Sequence, residues 1–90
     1  MIEEVIESLP GTKAQLWGFS PTHDTLVVKI EYQGEELFLL FIFCAEVNLP
    51  TFFRWKRPIL KKRDEFLLFQ DEKIKIQCCE IVISHENPAS

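Results

Sequence analysis

The chain lacks any long apolar run. Its longest, "LFLLFIFCA" from Leu37 to Ala45, is nine residues, whereas a membrane-spanning helix needs about 20. A run of this length, rich in Phe and bounded by Glu36 and Glu46, is expected to form a central strand covered on both faces, and no membrane role is expected. Glycine is also scarce, three in 90 residues, and no phosphate-cradling glycine motif, paired-carboxylate signature or nucleophile elbow occurs. The amino-terminal "MIEEVIESLPG" carries Glu3, Glu4 and Glu7, where an export signal needs basic residues before an apolar stretch.

Cysteines are few and odd in number: Cys44, Cys78 and Cys79. Each lies in an apolar stretch that reads as strand, which points to packed thiols in a reducing, cytoplasmic setting rather than to a disulfide scaffold. No second cysteine pair or histidine cluster completes a zinc set, and neighbouring side chains on a strand point to opposite faces. Neither a metal site nor a vicinal disulfide is therefore expected at Cys78-Cys79, and no cofactor is implied. The pair His23 and Asp24 in "SPTHDT" offers a base beside a carboxylate, but no nucleophile is recognisable nearby. Ser20, Pro21, Thr22 and Asp24 are turn formers, so a turn is expected there. His85 falls in the terminal stretch "SHENPAS". With no catalytic residues to assign, the chain reads as non-enzymatic.

What is present is a core. Hydrophobic residues make up 47% of the chain and include eight Phe, more large apolar groups than a disordered segment carries. The length suits one domain, expected over residues 1–86, with 87–90 a frayed tail. Ile2, Val5, Ile6 and Leu9 recur at helical spacing opposite Glu3, Glu4 and Glu7, and Pro10-Gly11 ends the run. "KAQLWGFS" and "DTLVVKIEY" follow as strands. The second alternates Leu26, Val28, Ile30 and Tyr32 against Thr25, Lys29 and Glu31, which implies one wet face. Gln33-Gly34 joins it to the Leu37–Ala45 strand through a tight hairpin in which Gly takes a positive φ. "PTFFRWK", "EFLLFQ" and "KIKIQCCEIVIS" complete the strands. In the last, Ile74, Ile76 and Cys78 share one parity and Cys79, Ile81 and Ile83 the other, so a bulge is expected near Cys78-Cys79. Connections are too short for helical crossovers, which favours antiparallel pairing throughout. The expected fold is mainly β, α+β in class: a curved antiparallel sheet or partial barrel of about six strands in meander order, with one short N-terminal amphipathic helix.

Charge is the unusual feature. The chain holds 10 Lys and Arg against 14 Asp and Glu, a net charge of -4. Arg54, Lys56, Arg57, Lys61, Lys62 and Arg63 nevertheless fall in one stretch without a single acid, beside Phe52, Phe53 and Trp55. Arg54, Trp55, Lys56, Arg57, Lys61, Lys62 and Arg63 are thus the candidate binding residues. Cations that track phosphates beside aromatics that stack on bases are the ingredients of a single-stranded nucleic-acid site. Against that, the acidic remainder repels a polyanion, and the shared parity of Phe53 and Trp55 allows both to point inward while the cations face water. Pro50 and Pro58 flank the segment, and Pro with Lys and Arg is how a sheet edge is protected from unwanted pairing. The preferred expectation is a small interaction domain that binds a protein partner, or itself, through this basic aromatic edge. Single-stranded nucleic-acid binding through the same residues is the alternative.

Overall fold

The computed structural model describes residues 2–20, 24–72 and 74–86. His23, half of the only candidate acid–base pair, and the tail 87–90 lie outside them. The chain opens with helix α1 (Ile2–Ser8) and continues through nine strands: β1 (Lys13–Ser20), β2 (Thr25–Tyr32), β3 (Glu35–Ile42), β4 (Glu46–Asn48), β5 (Phe52–Arg54), β6 (Ile59–Lys62), β7 (Leu67–Asp71), β8 (Ile74–Cys78) and β9 (Glu80–Ser84) among the described residues. The fold is mainly β with one short helix, and every strand pairing is antiparallel, as the patterning implies.

The strands form two sheets, not one. A five-stranded sheet runs β5-β1-β2-β3-β9 and a four-stranded sheet runs β4-β8-β7-β6; they do not close into a barrel. Meander order survives within β1-β2-β3 and within β6-β7-β8, while β4, β5 and β9 change sheets. The reason lies partly at Cys79. Its neighbours belong to β8 in one sheet and β9 in the other, so the parity switch is the point where the chain passes between sheets. A bulge keeps both halves of a strand in one ladder; here the two halves serve different ladders, which lets Ile76 and Cys78 face the core from one sheet and Ile81 and Ile83 pack against it from the other.

The core lies between the inner faces of the sheets. Leu26, Val28 and Ile30 of β2 and Leu37, Leu39 and Phe41 of β3 meet Phe69, Ile74 and Ile76 of the smaller sheet, with Phe41 and Phe69 rings edge-on at 5.4 Å. Val5 and Ile6 of α1, with Leu9 just after it, are buried in the same cluster, so the helix buries the side opposite its glutamates. The β2–β3 hairpin turns at Gln33 and Gly34, with φ of 50° and 80°. Two positive φ values in a two-residue loop match the twist of the flanking strands, and Tyr32 pairs with Glu35 across it.

One expectation changes. β3 has a strand on each side, but only one of its faces is covered. Phe38, Leu40 and Ile42 point away from the core, to the side of the sheet opposite the smaller one.

Candidate functional site

The basic segment straddles two sheet edges. β5 is an edge of the larger sheet, paired with β1 through Lys13–Arg54, Ala14–Phe53 and Gln15–Phe52. β6 is an edge of the smaller one, paired only with β7. The connection between them carries Trp55 to Pro58, so the chain itself spans from one edge to the other.

Of the seven candidate residues, Trp55 stands apart. It is 1% exposed and packs edge-on against Phe53 at 4.8 Å and Phe69 at 5.4 Å. Its backbone is held on both sides, donating to Thr12 O at 3.0 Å and accepting from Gly11 N at 2.8 Å. The ring that a stacking site needs is therefore inside the core, and its indole N–H has no hydrogen-bond partner among the described residues. Phe52, one parity step away, is 69% exposed instead.

The cations divide by partner. Arg54 donates to Gly11 O at 2.5 Å, tying β5 to the turn after α1. Lys56 Nζ lies 3.0 Å from Glu72. Arg57, Lys61, Lys62 and Arg63 are exposed and have no carboxylate partner among the described residues. Leu60 faces buried Phe69 across the β6–β7 ladder, which turns Ile59 and Lys61 to the outer face and sets Lys62 on the core side at the strand's exposed end. Arg63 begins the turn, its N–H donating to Phe66 O at 2.9 Å. Three consecutive cations thus fan out from one free edge.

The residue that positions this edge is Asp71, an acid at the end of β7 that nothing in the sequence singles out. Its carboxylate accepts from the backbone N–H groups of Lys56 at 2.8 Å, Arg57 at 3.0 Å and Glu72 at 2.7 Å. Partial burial works against its ionisation, but these three donors prevail and hold the carboxyl below its ordinary value. Asp71 therefore pins the start of the β5–β6 connection against the end of β7. Shallow clefts lie on either side of it, one lined by Phe53, Arg54 and Ile74, the other by Arg57, Ile59 and Gln70.

The thiols form a second grouping that their spacing does not announce. The Phe43–Ala45 link, from β3 to β4, lies beside Cys78-Cys79: Cys79 N donates to Ile42 O at 2.9 Å and Ala45 N to Gln77 O at 2.8 Å. Cys78 is buried, Cys44 half-buried and Cys79 exposed, and all three are free. Burial, with Cys44 and Cys79 close by, pushes the Cys78 thiol up to about 12, and burial raises Cys44 as well. Among the described residues no group of His, Cys, Asp and Glu is arranged to hold a metal ion, and no helix is long and apolar enough to cross a membrane. Compared with family models, curated proteins and solved structures, the chain matches none.

Proposed function

We propose that this protein is a small non-enzymatic interaction domain that docks an acidic, extended protein segment along β6. The observation that carries the reading is the coincidence, among the described residues, of a free strand edge with cations that have no carboxylate partner: Lys61, Lys62 and Arg63 at the end of β6, and Arg57 before it. An extended segment added to a free edge gains main-chain hydrogen bonds, and flanking side chains select its sequence. Carboxylates on that segment meet the four cations, and Ile59, 45% exposed, supplies an apolar contact in the middle. The three free cysteines, Cys78 among them buried, support a reducing, cytoplasmic setting.

Single-stranded nucleic acid remains the competing ligand for the same cations, without Trp55 as a stacking ring. The two separate in one experiment. Fluorescence anisotropy is measured with a labelled ten-residue peptide rich in Glu and Asp and with a labelled single-stranded oligonucleotide, on the wild type and on K61S/K62S/R63S. Peptide binding that weakens at least tenfold in the triple variant, with negligible oligonucleotide binding at physiological salt, is the expected result. Micromolar oligonucleotide binding at that salt, with a salt slope flattened by roughly 2 in the variant, overturns the protein-partner reading.

A further inference from the structure

The outer face of the five-stranded sheet is apolar where a solvated face is normally polar. Val27, Leu40 and Val82 lie side by side across β2, β3 and β9, since Leu40 pairs with both of the others. Trp17 joins them from β1, where the register slips between Leu16 and Gly18. Phe38 and Ile42 flank Leu40 along β3, and Phe52 extends the surface onto β5. None of these residues belongs to the core cluster or to the partly buried hydrophobics packed against it. Phe38 is the telling case: it is buried, yet it stands outside the core cluster, covered from the other side by the Trp17 ring at 5.8 Å.

We infer that this face packs against the same face of a second copy of the chain. Three observations select that occupant. The face is electrically neutral although the chain is not, carrying Lys13, Lys29 and Arg54 against Glu31, Glu36 and Glu80, so copies of it do not repel. Its charges are also sorted. Arg54 and Lys13 mark the β5–β1 side, whereas Glu31 and Glu36, the latter paired with Lys29, leave the β2–β3 side of the same end net negative. A two-fold axis parallel to the strands lays the first side of one copy over the second side of the other, opposing unlike signs around an apolar centre. Finally, the size is adequate. Strands β1 to β3 run eight residues each, so the face measures roughly 25 by 20 Å at about 3.4 Å per residue and about 4.8 Å between strands. That is about 500 Å² in projection and more in accessible area, the scale of the ~800 Å² per partner in a standard interface. Two sheets stacked in this way interdigitate side chains as the two halves of a sandwich do, and β3 regains the cover on both faces that its composition demands.

The test is sedimentation equilibrium of the full chain, wild type against F52S/V82K. Both positions are exposed and lie on edge strands, at 69% and 36% exposure, so the fold of the monomer tolerates the changes. A wild-type dimer whose Kd rises at least tenfold in F52S/V82K, and is unchanged in K61S/K62S/R63S, is the expected outcome and is independent of whether β6 binds an acidic segment. Wild-type protein supplies a second reading that needs no variant. Acrylamide quenching reports mainly Trp17, because Trp55 is 1% exposed, and it falls as protein concentration rises through the Kd. A chain that stays monomeric to millimolar concentration with concentration-independent quenching overturns the inference, as does a dimer that F52S/V82K leaves intact.

Discussion

Trp17 and Phe38 meet with ring centroids 5.8 Å apart on the side of the sheet that the core does not use. Lys29 Nζ lies 4.8 Å from the centre of the Trp17 ring and 2.8 Å from Glu36, closing a small lid over them. An aromatic pair of this kind adds about 0.5–1.5 kcal/mol beyond its buried area. It lowers the exposure of an otherwise uncovered face without filling a core.

That distinction makes two Phe residues of one strand unequal. Phe41 faces the core and touches Phe69, so Phe41→Ala should cost about 3–5 kcal/mol through the cavity it leaves. Phe38→Ala, on the other face, should cost about 1–2 kcal/mol in dilute protein, because the surface it vacates opens to solvent. Urea unfolding at micromolar concentration compares them. Equal losses would show that the outer face is covered within one chain.

Asp71 should matter more than its place at the end of a short strand suggests. Asp71→Ala removes three charge-assisted hydrogen bonds from a partly exposed site and should cost about 1–2 kcal/mol. Folding lowers this carboxyl's pKa, so its stabilisation is complete above the ordinary aspartate value of 3.8 and is lost as pH falls through the lower folded value. Urea midpoints of wild type and variant should therefore converge at acid pH. A gap that stays constant down to pH 2 would rule out the carboxylate as the source.

Thiol labelling should separate the three cysteines. Cys79 is exposed and should react in native protein, Cys44 should follow slowly, and Cys78 should wait for unfolding. Burial raises Cys78 from 9.0 to about 12, so its contribution to stability is present below pH 9 and is lost as pH rises toward 12. The alkaline fall in stability should be shallower in Cys78→Ala than in wild type. Mass spectrometry that finds Cys78 labelled as fast as Cys79 contradicts its burial.

Trp55 offers a test of the stacking idea from the inside. Trp55→Ala should cost about 3–5 kcal/mol, as expected for a buried ring packed on two others. Trp55→Phe should cost clearly less, since it also removes the indole N–H that lacks a partner among the described residues. If Trp55→Ala leaves the urea midpoint unchanged while abolishing oligonucleotide binding, the ring serves a ligand and not the core.

Local chemistry determined much of this molecule from the sequence alone. The spacing of Ile2, Val5, Ile6 and Leu9 decides which side of α1 is buried, and the alternation in Leu26–Tyr32 decides the inner face of β2, because side-chain periodicity is a property of the backbone. Gln33-Gly34 marks its hairpin through its φ requirements. The prolines and cations around Phe52–Arg54 mark an edge strand, since an edge is where missing donors and charges cost least. Only tertiary structure decided the rest, which depends on residues distant in the chain. Phe52 and Trp55 are alike in sequence, yet one meets solvent and the other meets Phe69, which is distant in the chain. The parity switch at Cys78-Cys79 suits a bulge as well as a change of sheet, and pairing with β3 on one side and β4 and β7 on the other makes it the latter. The apolar run of β3 states that both its faces seek cover. Which face receives it within one chain depends on where the second sheet lands.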